Sequence, residues 1–125
     1  MVENTRILFV DDEERNCKLF KRYFARNKAV DVITALSAED AKVVLERLEP
    51  IHILVTDQRM PISKGHALLC HCHESYPHIY RVLTTANVEE AEQLMMQSSM
   101  RDIIQLFIHK PWDSSEIRSL ATFLL

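Results

Sequence analysis

The sequence predicts an α/β protein in which a five-stranded parallel sheet is covered by helices on both faces, a doubly wound (βα)5 arrangement. Three observations lead to this fold class. Short apolar runs rich in β-branched residues alternate along the chain with longer amphipathic stretches. The short runs are continuously apolar, which is typical of strands buried on both faces. The chain has 125 residues and contains no linker or repeat, which favours a single domain over residues 1–125.

Five apolar runs are the candidate strands. They are, in chain order, Arg6–Val10, Val30–Ala35, Ile51–Thr56, Arg81–Thr85 and Leu106–His109. A stretch with helical periodicity follows each run. These stretches are Glu13–Arg26, Ser37–Leu48, Lys64–Tyr76, Val88–Met100 and Asp113–Leu125. Such alternation predicts right-handed crossovers between parallel strands.

The amphipathic stretches also carry signals for helix faces and helix starts. In the first stretch, Cys17, Phe20 and Phe24 share one stripe. Ser37 precedes the second stretch with an acid three residues later, which approximates a capping box. Asp113 or the serine after it can cap the last helix. These signals predict where the helices begin and which of their faces are buried.

Composition excludes several classes of protein. The chain has one glycine, where ordinary usage of about 7% would give roughly nine, so the glycine-rich phosphate loops are excluded. The 15 basic and 18 acidic residues give a net charge of −3, which leaves no basic surplus for a nucleic-acid backbone. No apolar run reaches the roughly 18–20 residues of a membrane span, and no signal peptide is evident. Three cysteines without an obvious pairing favour a reduced, cytoplasmic protein.

The carboxyl ends of the candidate strands carry the residues that suggest chemistry, because ligands of open parallel sheets bind there. These residues are Asp11, Asp12, Asp57, Thr85 and Lys110. Carboxylates that repel each other in a partly desolvated site favour a hard divalent cation, and Mg²⁺ suits a site with a few carboxylates. A carboxylate can also attack phosphorus to form an acyl phosphate. Any single aspartate here would more often be a turn former, so the hypothesis depends on the whole set.

Four stretches resemble, in order, the motifs of the response-regulator receiver domain of two-component signalling. They are ILFVDDEE, LVTDQRMP followed by Gly65, VLTTA and FIHKPW. The match covers essentially the whole chain and implies a flavodoxin-like strand order of 2-1-3-4-5. The KPW form of the last motif is similar to that of receivers that precede a separate output domain. Receivers usually keep a glycine at the position of Gly65, where we expect a backbone conformation or close approach that a side chain would hinder.

The resemblance implies the phosphoacceptor and the metal ligands. Asp57 matches the aspartate that accepts the phosphoryl group. Asp12 matches the direct ligand of Mg²⁺ (or Mn²⁺), and Asp11 assists through water. The main-chain carbonyl of Arg59 completes the protein's share of the metal ligands.

The resemblance also implies the residues that respond to phosphorylation. Thr85 matches the switch hydroxyl, and Lys110 matches the lysine that contacts the phosphoryl group. Phe107 falls at the position of the switch aromatic. Pro111 matches a proline whose preceding peptide bond is cis in the family. Arg59 and Asn87 flank the expected entry of water, where they would tune the lifetime of the phosphate.

The implied function is that of a phosphoacceptor switch without a metabolic reaction of its own. A sensor histidine kinase or a histidine phosphotransfer protein would supply the phosphoryl group. The face formed by the fourth helix, the fifth strand and the last helix would then control an output domain or a downstream protein, and a phosphorylation-dependent homodimer is compatible with this. We expect no direct contact with nucleic acid or membrane. We also expect this receiver to be either the amino-terminal part of a longer regulator or a single-domain regulator.

Two other functions compete with this hypothesis. A degenerate receiver would act as a docking module without phosphorylation, but the complete residue set argues against it. A haloacid-dehalogenase-like phosphatase would need a DxDx[TV] pattern after the first strand, which FVDDEER lacks, and room for a cap domain. A zinc site is a further alternative, because His66, Cys70 and His73 share one helical face. We favour the view that Leu68, Leu69 and Cys72 face the core there while the histidines lie at the surface.

Overall fold

Five parallel strands form one sheet, as the apolar runs predict. The structure is a computed structural model, and it describes residues 4–48 and 50–122. The strands are β1 (Thr5–Val10), β2 (Val30–Ala35), β3 (Ile53–Asp57), β4 (Tyr80–Thr85) and β5 (Leu106–His109). Their order in the sheet is β2-β1-β3-β4-β5, and every neighbouring pair is parallel. The flavodoxin-like order implied by the resemblance is therefore confirmed.

Helices connect the strands on both faces of this sheet. They are α1 (Glu14–Arg22), α2 (Ala38–Arg47), α3 (Gly65–Ser75), α4 (Val88–Met96), α5 (Ser98–Ile103) and α6 (Ser114–Ser119). A 3-10 turn over Leu120–Thr122 follows α6. The sequence predicted a last helix running to Leu125, and residues 123–125 lie outside the described part of the chain. No helix in residues 4–48 and 50–122 is long and apolar enough to cross a membrane.

Two predicted helix starts are confirmed by their hydrogen bonds. The hydroxyl of Ser37 accepts from the main-chain N–H of Asp40 at 3.1 Å. At α6 the cap is Asp113, whose carboxylate accepts from the N–H of Ser115 at 2.9 Å. Each bond satisfies an amide that has no partner within its own helix. The first helix, by contrast, ends at Arg22 rather than at the predicted Arg26.

The predicted fourth helix, Val88–Met100, is wrong, because the chain breaks at Gln97 into α4 and α5. Gln97 has an extended backbone, with φ −83° and ψ 119°. Its carbonyl oxygen then accepts from the N–H of Met100 at 3.0 Å and so begins the next helix. The segment before β5 is longer than one crossover helix requires, and the extra residues form a second helical turn. The break also brings Ile104, which is 2% exposed, into the core.

Each face of the sheet has its own apolar core, which explains why the central strands β1, β3 and β4 are buried along most of their length. The first core lies under α2, α3 and α4, and its side chains include Leu8, Leu45, Leu54, Leu68, Leu69, Leu83 and Ile104. The second core lies under α1 and α6, and its side chains include Ile7, Phe9, Cys17, Phe20, Phe24, Ile53, Ile108 and Ile117. The predicted apolar stripe is buried, with Cys17 and Phe20 on α1 and Phe24 just after it, and the predicted core residues of α3 are buried as expected.

Gly65 allows the start of α3 to lie directly against the end of β3. A Cβ atom at this position would be 2.2 Å from the carbonyl oxygen of Asp57 and 3.0 Å from the Cα atom of Gln58. Both are main-chain atoms, so they could not move aside without shifting β3. The N–H of Gly65 also donates to the carbonyl of Gln58 at 3.0 Å. The predicted close approach is thus confirmed, and it lies beside the candidate site.

Candidate functional site

The carboxyl ends of the strands bring the predicted polar residues together. Asp11 follows β1, Asp57 ends β3, Thr85 ends β4 and Lys110 follows β5. With Asp12, these residues line a cavity of about 650 Å³ at that edge of the sheet. The cavity is therefore where the topology of an open parallel sheet leads one to expect a ligand.

Asp11 is the most constrained acid of the site and is 1% exposed. Its Oδ1 accepts from the N–H of Glu13 at 2.9 Å, which closes the turn between β1 and α1. Its Oδ2 accepts from Nδ2 of Asn16 at 3.1 Å and from Nζ of Lys110 at 3.2 Å. These bonds fix the orientation of a carboxylate that is almost completely removed from water.

Lys110 joins two of the acids, because its Nζ also donates to Oδ1 of Asp57 at 2.6 Å. Burial raises the pKa of Asp57, and although Lys110 opposes this, the charges of Asp11 and Asp12 add to the increase. Burial lowers the pKa of Lys110, but its hydrogen bond to Asp57 and the two carboxylates more than offset this and raise it. One ammonium group therefore contacts two of the three carboxyl groups, and the site retains a surplus of negative charge.

The three carboxylates have the chemistry and spacing of a divalent-cation site. One oxygen from each of Asp11, Asp12 and Asp57 lies within 4.8 Å of the others, and Asp12 is exposed. Oxygen donors of this kind suit Mg²⁺, which also keeps several waters. Within residues 4–48 and 50–122, this is the one group of three or more potential ligands close enough to hold a metal.

The alternative zinc site is not assembled, because His66, Cys70 and His73 do not form such a group in that part of the chain. Instead, Gln58 brackets His66: its Nε2 lies 2.8 Å from Nδ1 of the imidazole, and its Oε1 accepts from the main-chain N–H of His66 at 2.8 Å. Gln58 is 2% exposed. The residue after Asp57 thus joins the end of β3 to the first turn of α3.

The two predicted switch residues lie on neighbouring strands. The hydroxyl of Thr85 accepts from the N–H of Asn87 at 3.1 Å, while its carbonyl accepts from the N–H of Lys110 at 3.1 Å. Phe107 pairs in register with Leu83 and is partly buried against the first core. The peptide bond between Lys110 and Pro111 is cis, as the resemblance implies.

Arg59 projects from the loop after β3, and its Nε lies 3.6 Å from Oε1 of Glu90 in the first turn of α4. Arg59 and Asn87 both line the cavity. Asn87 also caps α4, because its side chain accepts from the N–H of Glu90 at 2.9 Å. The two positions that the sequence placed at the entry of water therefore lie on the cavity wall.

Three contacts at the site were not predicted from the sequence. Asn16 holds Asp11, and Glu90 faces Arg59. Nε1 of Trp112 donates to the hydroxyl of Thr84 at 2.9 Å, which anchors the chain just after Lys110. Asn16 and Glu90 are polar residues in the first turns of helices that follow strand ends. That position was the one feature of the sequence that could have indicated their contacts with the site.

These features define the class of protein. A doubly wound sheet in the order 2-1-3-4-5, with an acidic cluster and a lysine at its carboxyl edge, is a flavodoxin-like α/β domain with a candidate cation site. Residues 7–122 match the family model described as the response regulator receiver domain. The chain belongs to this family of two-component signalling proteins.

Individual relatives agree with this assignment. The chain is 31% identical over 106 residues to the hydrogenase transcriptional regulatory protein HoxA of Cupriavidus necator, and the match covers 85% of this chain. It covers 21% of that relative, so the chain spans about a fifth of its length. Among solved structures, an uncharacterized protein from Neptuniibacter caesariensis is 27% identical with a TM-score of 0.84, covering 98% of this chain and 87% of that one. A response regulator receiver protein from Pseudomonas putida is 25% identical with a TM-score of 0.78, covering 98% of each chain.

Proposed function

We propose that this domain is a phosphoacceptor switch that takes a phosphoryl group onto Asp57 in the presence of Mg²⁺. One observation carries the proposal. Nζ of Lys110 contacts the carboxylates of both Asp57 and Asp11, and a potential ligand oxygen of Asp12 lies within 4.8 Å of theirs. A surplus of negative charge around one lysine is costly for a purely structural site but suits a site completed by a cation.

The proposed reaction is a transfer from a phosphohistidine of a sensor histidine kinase or a histidine phosphotransfer protein. A carboxylate oxygen of Asp57 attacks phosphorus in line, so a P–O bond forms while the P–N bond breaks. The electron pair of that bond remains on the departing imidazole nitrogen. Lys110 lies 2.6 Å from Asp57 and balances charge on the transferring group. The domain carries out no metabolic reaction of its own in this proposal.

The acidic residues fit a bound divalent cation. Asp12 and Asp57 would hold Mg²⁺ or Mn²⁺ directly, with the main-chain carbonyl of Arg59, while Asp11 would act through water. When bound, the cation supplies positive charge that offsets the carboxylates and the phosphoryl oxygens. The hydrogen bonds that Asp11 accepts from Asn16 and Glu13 keep it oriented toward this position.

The proposed output depends on Thr85 and Phe107. The phosphoryl group would draw the hydroxyl of Thr85 away from the N–H of Asn87, and Phe107 would turn inward against the first core. The face formed by α4, β5 and α6, with α5 inserted beside it, would then change its fit to an output domain or a downstream protein. Residues 1–125 would be one such domain, alone or within a longer regulator. Three free cysteines fit a reducing cytoplasm.

The test is to incubate the purified protein with acetyl phosphate and Mg²⁺ and to measure its intact mass. The wild type should gain one phosphoryl group, and chelation of the metal should prevent this. Asp57→Asn should gain none, because its amide is not a nucleophile toward phosphorus. Asp31→Asn is the matched control, since Asp31 lies on β2 and is exposed, so this variant should label normally.

Two results would overturn the proposal. Normal Mg²⁺-dependent labelling of Asp57→Asn would refute the assignment of the phosphoacceptor. Absence of labelling in the wild type, with no change in the fluorescence of the single tryptophan, Trp112, on adding Mg²⁺ and beryllium fluoride, would favour the docking module instead.

A further inference from the structure

The contact between Arg59 and Glu90 bridges two elements on either side of the candidate site. Arg59 lies two residues after Asp57, and Glu90 lies in the first turn of α4. Their side chains approach to 3.6 Å between Nε and Oε1, with exposed fractions of 62% and 27%. The loop that follows the proposed phosphoacceptor is thus tied electrostatically to a helix of the proposed output face.

This ion pair is loose enough to be exchanged. Oε1 of Glu90 is buried, yet it accepts no hydrogen bond from any residue in the described part of the chain. The separation of 3.6 Å is longer than that of a charge-assisted hydrogen bond, which is about 2.7–2.9 Å. A phosphoryl oxygen that forms direct hydrogen bonds with the guanidinium group of Arg59 would therefore compete well with Glu90.

The cavity offers few other cations to a phosphoryl group. Among the described residues that line it, the basic ones are Arg59 and Lys110. Lys110 already contacts Asp57 and Asp11. The acidic residues that line the cavity are Asp11, Asp12, Glu13, Asp57 and Glu89. A phosphoryl group on Asp57 therefore meets mainly negative charge. Arg59 is the one of these two cations whose ion-pair partner, Glu90, is not among the residues that line the cavity.

We propose that Glu90 is a positioning residue that competes with the phosphoryl group for Arg59. Before phosphorylation, Glu90 holds the guanidinium group of Arg59 against α4. After phosphorylation, Arg59 leaves Glu90 and donates to the phosphoryl oxygens. Glu90 thereby weakens the interaction of Arg59 with the phosphoryl group. It also couples phosphorylation of Asp57 to release of the first turn of α4 from Arg59. This inference rests on the proposed function, because it requires a phosphoryl group on Asp57.

The coupling would reach α4 by a second contact as well. Asn87 caps α4 through the N–H of Glu90 at 2.9 Å, and its own N–H donates to the hydroxyl of Thr85 at 3.1 Å. The first turn of α4 is therefore held by Thr85 through Asn87 and by Arg59 through Glu90. A phosphoryl group on Asp57 would attract both Thr85 and Arg59, which would loosen both attachments together.

The experiment is a double-mutant cycle on the affinity for beryllium fluoride, a phosphoryl mimic, in Mg²⁺, followed by the fluorescence of Trp112. The variants are Glu90→Gln, Arg59→Gln and the double variant. Glu90→Gln should bind the mimic about two- to fivefold more tightly, the size expected for loss of a partly exposed ion pair. Arg59→Gln should bind more weakly, and adding Glu90→Gln to it should change nothing. Arg59 is exposed and Glu90 is partly exposed, and thermal unfolding of each variant verifies that it is folded.

Glu89→Gln is the matched control, because Glu89 precedes Glu90 and itself lines the cavity. Any effect of Glu89→Gln on the affinity for beryllium fluoride should be the same in the wild-type and the Arg59→Gln backgrounds. The inference is overturned if the wild type binds the mimic but Glu90→Gln binds it equally well, or if the effect of Glu90→Gln persists in the Arg59→Gln background. A wild type that fails to bind the mimic at all contradicts the proposed function itself, and the two failures are thus distinguishable.

Discussion

The two ends of β4 each hold buried charge, but that charge is surrounded in opposite ways at the two ends. At the carboxyl end, Thr85 lines a cavity with three carboxyl groups, two of which, those of Asp11 and Asp57, accept hydrogen bonds from Lys110. At the amino end, Arg81 is 3% exposed and donates hydrogen bonds to main-chain carbonyls. Its Nε donates to Ile103 at 2.8 Å and its Nη2 to Asp102 at 3.2 Å. Nη1 donates to Pro77 at 3.1 Å and to Ile79 at 2.9 Å.

The difference shows how burial of charge can serve either stability or function. The carbonyls around Arg81 are dipoles of the chain's own backbone, and they satisfy the guanidinium group fully enough that nothing further is needed. The guanidinium group thereby joins the end of α5 to the turn before β4. At the carboxyl end the burial of Asp57 instead raises its pKa, and the surplus charge calls for a ligand.

Replacing Arg81 with methionine should destabilise the amino end of β4, where the buried charge serves stability. The methionine keeps much of the aliphatic bulk but leaves four carbonyls without this donor. The bond to Ile79 is buried and the other three are part-buried, so their loss together is costly. We expect Arg81→Met to lower the free energy of unfolding by about 3 kcal/mol, measured by urea denaturation. Folded Arg81→Met should still accept a phosphoryl group on Asp57.

Arg101→Met is the control for this prediction, because Arg101 lies on the same helix α5 and makes one exposed bond, from its Nε to the carbonyl of Met95 at 2.8 Å. We expect a loss of less than about 1 kcal/mol for it. Equal losses for the two variants would contradict the view that the bonds of Arg81 hold α5 in place.

Replacing Gly65 with alanine should disturb the carboxyl edge of the sheet, where the candidate site lies. Its Cβ would lie 2.2 Å from the carbonyl oxygen of Asp57, so β3 or α3 must shift. We expect a loss of about 2 kcal/mol in the free energy of unfolding, with slower labelling of Asp57 by acetyl phosphate. Ser63→Ala, in the same loop, should alter neither quantity appreciably. An alanine variant as stable and as rapidly labelled as the wild type would show that the close approach is not required.

The sequence was sufficient for most of the fold and for the location of the site. Short apolar runs that alternate with longer amphipathic stretches identified all five strands, because parallel strands covered by helices are mostly apolar. Asp11, Asp57 and Lys110 could be placed at one edge because parallel strands end together. Ser37 and Asp113 were identifiable as caps because capping depends on residues close in sequence.

Contacts between residues distant in sequence were not predictable in the same way. The break at Gln97 has no glycine or proline to mark it, and it depends on where α5 and Ile104 pack. The role of Arg81 was hidden because its partners are backbone carbonyls, which every sequence offers equally. The pair of Arg59 and Glu90 spans a strand and a helix, so no local spacing indicates it.

Removing one acid from the functional end should stabilise the protein. In the absence of divalent cations at neutral pH, the free energy of unfolding of Asp57→Asn should exceed that of the wild type by on the order of 1 kcal/mol. The reason is that the substitution removes a carboxylate from a negatively charged cluster. The pKa of Asp57 is raised in the folded state, so protonation of the wild type favours folding. The advantage of Asp57→Asn should therefore be largest above that raised pKa and should disappear as the pH falls below the ordinary value of 3.8.

The same two proteins test the central claim, that the acidic edge is completed by a cation. The measurement is the free energy of unfolding at neutral pH as a function of Mg²⁺ concentration. We predict that Mg²⁺ stabilises the wild type increasingly, and that it stabilises Asp57→Asn much less, so that their difference in stability narrows or reverses. An equal gain for both proteins, or no gain for the wild type, would contradict the claim.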